Sequence, residues 1–423
     1  MPAGLMLRQK INFGFLSPEG TRNGRRGGAG GIATVAGQNP GVLFLSREGL
    51  AKSGIAVGNV VAREVEPGPD QLAGIVVQFD GTPIPLVGGG GGGRGGRGGR
   101  GGGAGGGAAP ADRGAAPGTT LPAPFVEEAQ AGGGGGAPQA GGPTTQDRTP
   151  WVDPTTDPLS PGISNYSNYT LEVVQRIGYD SFTPDSGVLL AKNKDTESNN
   201  GGPNGYNCFN WVIDAHPENI NVVDFKRPKS GTPVMRTIAD FRQLNDALFH
   251  AGLKSGSQYE YEDKFNRLHF YIIDPHRDAD GILSYTVAVR SLDGSGPQTR
   301  DVKLEASGNK TLTDAVTPCE VTLTNTGKNA EVDKATHPTD PTKFIGSDVY
   351  RLSVSIEGGG GATPMTAELQ NALAAVKFGE SVKIPVFVSH AAGTRGTAQV
   401  VVTATSESDP SKTAKATFTV TAN

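Results

Sequence analysis

Cysteine is nearly absent from this chain: Cys208 and Cys319 are the two in 423 residues. A disulfide framework of the kind that staples small secreted domains is therefore excluded. One bridge or two buried thiols are both open, so thiol counting does not fix the redox compartment. Long apolar runs are missing too. No stretch of 18 apolar residues exists, and no membrane-spanning helix is implied. Positive charge is not in excess: 38 Lys and Arg against 42 Asp and Glu give a net charge of −4 and a pI of about 5.9. A chain that depends on nucleic acid carries a basic surplus, so this balance argues against that class. A secretory leader is also lacking at the start. In MPAGLMLRQKINFGFLS, Arg8 and Lys10 interrupt the apolar residues and no small-residue cleavage site follows. This stretch reads as mid-domain sequence and predicts a chain that begins inside a larger protein.

Glycine and proline are abundant instead, at 63 and 30 residues, and they cluster. Residues 88–148 are almost entirely Gly, Ala, Pro, Thr and scattered charges, with Arg94, Arg97 and Arg100 evenly spaced in the glycine run. Too little there can be buried to offset the entropy of ordering it, which predicts a long disordered insertion. Arginine-glycine tracts that bind RNA interleave aromatics and carry a wider basic excess. This one has neither, so it reads as a tether and no nucleic-acid partner is expected.

The rest of the chain predicts a mainly β protein in three further parts. Residues 1–87 form a β-rich segment with strands at VLFLS (42–46), NVVAREV (59–65) and AGIVVQF (73–79). Residues 149–300 form a β-rich domain with strands at 168–180, 187–194, 208–216, 266–274 and 281–292. A single clear helix is expected over RTIADFRQLNDALFHAG (236–252), where Ile238, Phe241, Leu244 and Leu248 share a face, Thr237 caps and Gly252 closes. Residues 301–423 alternate polar and apolar in short strands, which predicts an immunoglobulin-like β-sandwich. NALAAVKFGE (371–380) is read as a strand end and turn.

Few residues suggest chemistry, and none is catalytic on its own pattern. DPHRDADGIL places Asp274, Asp278 and Asp280 ahead of Gly281. Oxygen ligands at alternating loop positions before a glycine resemble part of a calcium loop. His276 stands where an acid or amide is wanted, and the closing bidentate Glu is absent. Calcium on these three aspartates is one reading; an Asp- and Gly-rich hairpin turn is the plainer one. His269 and His276, seven residues apart, would need a third ligand to hold zinc, and read as ordinary strand and turn histidines. Tyr206, Cys208, Phe209 and Trp211 are either an exposed aromatic patch for carbohydrate or protein, or a core strand after a polar loop. No spacing activates Cys208 as a nucleophile.

Two stretches carry a family likeness. YTLEVVQRIGYDSFTPDSGVLLAKNKD (169–195) resembles a segment of secreted zinc metallopeptidases of the immune inhibitor A type, through Glu172, Gln175, Arg176, Gly178, Tyr179, Asp180, Pro184, Gly187, Val188 and Leu189. The family often places a His and an Asp next; here the run is AKNKD and the His is missing. GLMLRQKINFGFLS (4–17) is similar to the segment after that family's active site. CEVTLTNTGK and VKFGESVKIPVFVS resemble the bacterial β-sandwich modules appended to secreted hydrolases. The resemblance implies an extracellular setting and a zinc-dependent catalytic region bearing H-E-x-x-H. None of the six histidines here (216, 250, 269, 276, 337, 390) stands in that motif. The expectation is a non-catalytic C-terminal portion, inactive alone, with zinc and the catalytic domain upstream as its partner. The alternative is an extracellular binding protein whose β-modules recognise protein or glycan.

Overall fold

The computed structural model of the protein describes residues 41–79, 168–194 except 182 and 184, 209–213, 215, 223–226, 233–235, 247–358 except 265, and 365–422. The glycine tract, the opening 40 residues, Tyr206 and Cys208, and the side chains of Phe209 and Trp211 lie outside these. The described residues are mainly β, with one α-helix among them.

The first body contains β1 (Val42–Ser46), α1 (Arg47–Ser53), β2 (Ala56–Val61), β3 (Gly74–Gln78), β4 (Asn168–Val174), β5 (Gly187–Lys194), β6 (Phe209–Val212), the hairpin β7 (Val223–Lys226) and β8 (Pro233–Met235), β9 (Glu260–Asp263), β10 (Leu268–Arg277) and β11 (Leu283–Ser291). One sheet runs β1-β3-β4-β5-β6 and a second runs β2-β11-β10-β9. Strands from before and after the glycine tract thus share both sheets. β1 and β3 pair in parallel, and α1 and β2 supply the crossover that a parallel pair requires. Every residue of VLFLS is buried, so the strand needs no polar alternation.

The two sheets face each other across one core. Leu43, Leu45, Ile75, Val77, Tyr169, Leu171, Val188 and Leu190 come from the first; Val60, Leu268, Phe270, Ile272, Val287 and Val289 come from the second. These are alternate residues on each strand, the period-2 pattern of one inward face. Tyr169 anchors the contact, its ring centroid 4.9 Å from that of Phe270.

The expected helix over 236–252 meets the described residues only at its end. Residues 236–246 lie outside the described residues, and the described end of the expected helix, Ala247–His250, is not helical. Phe249 instead exchanges two backbone hydrogen bonds with Val188, both at 2.9 Å. It is 1 % exposed and packs in the first core, so strand pairing and burial override local helix propensity. The α-helix among the described residues, α1, is seven residues long. Ser46 caps it, its Oγ accepting from Gly49 N, and Gly54 at φ 94° ends it in a conformation that favours glycine.

The second body contains β12 (Lys303–Ala306), β13 (Lys310–Leu312), β14 (Val316–Thr324), β15 (Ser347–Gly358), β16 (Thr366–Leu369), β17 (Leu373–Lys377), β18 (Ser381–Ser389), β19 (Gly396–Ser406) and β20 (Thr413–Ala422). A sheet β12-β14-β18-β16 packs on a sheet β13-β20-β19-β15-β17, a β-sandwich. Val321, Leu323, Val386 and Val388 meet Val400, Val402, Phe418 and Val420 in the core, while Thr403, Thr405, Thr417 and Thr419 on alternate positions face out. Cys319 is buried in this core and forms no disulfide among the described residues. β17 ends in a turn at Gly379, φ 81°, as NALAAVKFGE suggested.

Candidate functional site

The densest chemistry among the described residues lies where the two bodies meet. Ile55, Tyr271, Ile273 and Ala288 of the first body pack with Val349, Ala372 and Leu373 of the sandwich. Around this apolar strip runs a charged network. Arg351 on β15 donates from Nε to Glu407 Oε1 at 2.6 Å, from Nη1 to Glu260 Oε1 at 3.1 Å and from Nη2 to Glu260 Oε2 at 2.6 Å. Tyr271 donates to Glu407 Oε2 at 2.8 Å and accepts from Arg290 Nε at 2.7 Å. His269 lies between, Nε2 3.1 Å from Glu260 and Nδ1 3.0 Å from the Tyr271 hydroxyl. Three β-strands of one body and two segments of the other therefore share one set of hydrogen bonds.

The electrostatics follow from this packing. Burial alone would raise the Glu260 carboxyl, but His269 and Arg351 bring it down to about 2. The Tyr271 hydroxyl is pushed up by burial and by the Glu407 charge. A buried pair lies on the sandwich side of the seam: Arg300 lies 3.5 Å from Asp348, which is fully buried and accepts from Ser406 and Ser408, each at 2.6 Å. Burial raises the Asp348 carboxyl despite Arg300. Gln298 donates to the Ser53 carbonyl at 2.8 Å and Ser295 to that of Ser408 at 2.6 Å.

The residues that carry the sequence likeness have a structural role. Asp180, with no exposed surface, accepts from Arg63 Nε and Nη2 at 2.5 Å each, and Glu172 accepts from Arg63 Nη1 at 2.9 Å. Arg63 follows β2, so this triad ties the β4 strand and its Gly-Tyr-Asp turn to the second sheet. Gln175 extends the tie, donating to the Gly281 carbonyl and accepting from Leu283 N. Burial opposes the charge on Arg63, and Glu172 and Asp180 more than restore it. A related knot holds Asp263, which accepts from Tyr169 Oη at 2.6 Å and Asn266 Nδ2 at 2.6 Å, with Lys192 Nζ at 3.4 Å.

The three aspartates singled out for calcium do separate work. Asp274 Oδ1 accepts from Asn371 of the sandwich at 2.9 Å. Asp278 Oδ1 accepts from the backbone N of Asp280 and Ile282 at 3.0 and 2.8 Å, closing the β10–β11 turn with Gly281 at φ 78°. Asp280 sits at the turn tip with an exposed side chain. Among the described residues no group of three or more His, Cys, Asp or Glu side chains comes together to hold a metal. His269 and His276 do not converge: the first sits in the seam, the second lies 3.1 Å from Thr286 Oγ1 and 3.5 Å from Asp274. Apart from His269, the seam residues were not foreseen, because the hydrogen bonds that cross between the bodies join positions 91 to 136 residues apart that share no local pattern.

Similarity to known proteins covers much of the chain. Residues 143–292 match a family model described as a middle domain, and residues 300–422 match one described as a Peptidase M6-like domain. The chain is 40% identical over 380 residues to a protein of Arthroderma benhamiae named "Putative secreted metallopeptidase", a match covering 88% of this chain and 44% of that protein. The chain thus spans less than half the length of this relative. Among solved structures, the secreted serine protease VesC of Vibrio cholerae matches at 9% identity and a TM-score of 0.20, over 35% of this chain and 32% of that one. The VesB protease of the same organism matches at 10% and 0.16, over 40% and 44%. Likenesses that faint bear on neither fold nor chemistry. By these sequence matches the chain is similar to metallopeptidase-like proteins.

Proposed function

We propose that this chain is the non-catalytic portion of a secreted, extracellular metallopeptidase-like protein. Its two β bodies, locked at the seam, form a rigid support that positions or stabilises a catalytic region carried by the rest of the protein. The secreted setting rests on the name of the Arthroderma benhamiae relative and on the likeness to immune inhibitor A, the sandwich being the immunoglobulin-like module of that arrangement.

The observation that carries this reading is the fate of the histidines. None of the six stands in H-E-x-x-H, so no helix turn here presents two imidazoles and a carboxylate base to one zinc. The five that are described are scattered and already engaged: His250 with Asp185, His269 with Glu260, His276 with Thr286, His337 with Ser46, and His390 with the Ala391 carbonyl. Zinc does not fit this donor set, and no catalytic step is assigned to it. Rigidity is supported by the seam itself. Linked domains move relative to one another unless their interface is large and apolar or otherwise held; here an apolar strip and the partly buried network of Arg351, Glu260, Tyr271 and Glu407 hold it.

The test is elemental analysis of the purified chain together with casein hydrolysis, with and without added zinc. The expected result is less than stoichiometric zinc and no hydrolysis. Stoichiometric zinc accompanied by hydrolysis would overturn the reading.

A further inference from the structure

Between β14 and β15 the sandwich sends a strap, residues 325–346, across the first body. Its hold on β1 and α1 is unusually complete. Thr339 Oγ1 accepts from Phe44 N at 3.0 Å and donates to the Phe44 carbonyl at 3.0 Å. Among the described strands β1 is the edge of its sheet, so Thr339 satisfies outward backbone groups that no described strand pairs. Phe344 and Ile345 enter the first core, and the Phe344 carbonyl accepts from Val57 N at 2.7 Å. At the centre is His337, buried at 7% exposure. Its Nδ1 lies 3.1 Å from Ser46 N and its Nε2 lies 2.8 Å from Ser53 Oγ. It spans α1 from cap to last residue.

One of these bonds fixes the protonation state. A backbone amide can only donate, so Nδ1 must present its lone pair to Ser46 N. The ring is then the Nε2–H tautomer and donates to Ser53 Oγ. A proton added at Nδ1 would set N–H against N–H inside a packed site. We propose that the strap is an acid-released clasp: neutral His337 holds it shut, and protonation of Nδ1 lifts residues 334–345 from α1 and the β1 edge. No group among the described residues offsets the imidazolium charge. On α1, Glu48 accepts from Arg47 Nη2 at 2.7 Å and Ser46 Oγ at 3.3 Å, and Lys52 is a cation. On the strap, Lys334 and Asp340 pair with each other at 2.8 Å, and Asp333 Oδ1 accepts from Ala335 N. Arg300, beyond Ser53, is engaged with Ser295 and Gln298. No carboxylate among the described residues bonds the His337 ring. The packing leaves no room for a compensating shift: a Cβ on Gly49 would come within 2.7 Å of His337 Cε1.

Burial lowers the His337 imidazole from its ordinary 6.5 to about 4. A group depressed in the closed state favours closure fully above its free value and loses that contribution as pH falls toward the closed value. Between pH 7 and pH 5 the opening equilibrium of the strap is expected to rise about twentyfold. The experiment is amide hydrogen exchange of the full chain at pH 7 and pH 5, corrected for intrinsic rates, read at Phe44, Ser46 and 334–345. The expected result is a roughly twentyfold loss of protection there, with the sandwich core unchanged. In His337→Gln, an amide neutral at both pH values, the pH effect should vanish. Unchanged protection in the wild type, or a pH effect that persists in the variant, would overturn the proposal. If the variant does not fold, the nitrogen NMR shifts of His337 in the wild type decide: Nδ1 unprotonated at pH 7 supports the clasp, and a protonated Nδ1 refutes it.

Discussion

Arg351 is the residue through which the seam is most directly tested. Its guanidinium makes three charge-assisted bonds, two to Glu260 and one to Glu407, at 2.6 to 3.1 Å. Removing one partner of a fully buried ion pair costs about 3–5 kcal/mol, because the other charge is left without compensation. An exposed pair is worth under about 1 kcal/mol. Arg351 is intermediate: its side chain is 37% exposed, against 27% for Glu260 and 11% for Glu407. With that solvent screening, Arg351→Met should cost about 2 kcal/mol, the methionine keeping the stem's packing. Coupling is isolated by a double-mutant cycle with Glu260→Gln in urea unfolding, and about 1–2 kcal/mol of interaction energy is expected. The pH dependence should follow. Glu260 sits near 2 in the folded chain against an ordinary 4.5, so its contribution is complete above about pH 4.5 and is lost as the pH falls toward 2. Without Arg351 that window narrows and the acid limb flattens. A coupling below about 0.3 kcal/mol would refute the view that this network holds the bodies together.

Two further substitutions probe other joints. Tyr169→Phe keeps the core ring but takes a donor from buried Asp263, so unfolding free energy should drop by about 1–3 kcal/mol in chemical denaturation. Gly49→Ala adds a methyl where the Thr336 carbonyl and His337 ring already sit, so the strap should open at every pH, at a cost of about 1–3 kcal/mol read by exchange at 334–345.

How much of this was legible depended on whether the physics was local. The sandwich strands were, because a sheet with one wet face writes its period into the sequence: KATFTVTA alternates Ala416, Phe418 and Val420 inward with Thr417 and Thr419 outward. VLFLS was equally plain. The described end of the expected helix differs for the complementary reason. The spacing of Phe241, Leu244 and Leu248 satisfies a helical face, but the backbone partner that claims Phe249 is Val188, more than 60 positions away. α1 was missed because seven residues are too few to show a period. Its only local signals were Ser46, Glu48 in the first turn, Lys52 in the last and Gly54. The motif residues Glu172 and Asp180 were noticed as a likeness, yet their partner Arg63 lies across the glycine tract, and nothing near them announced it. His337 looked like any other histidine. Its meaning comes from Ser46 and Ser53, 291 and 284 residues earlier.

The central claim is that two β bodies act as one support, and scanning calorimetry of the full chain tests it most directly. The account predicts that both bodies melt in a single transition, with calorimetric and van't Hoff enthalpies in agreement. Two separate transitions, each with the enthalpy of one body, would contradict it.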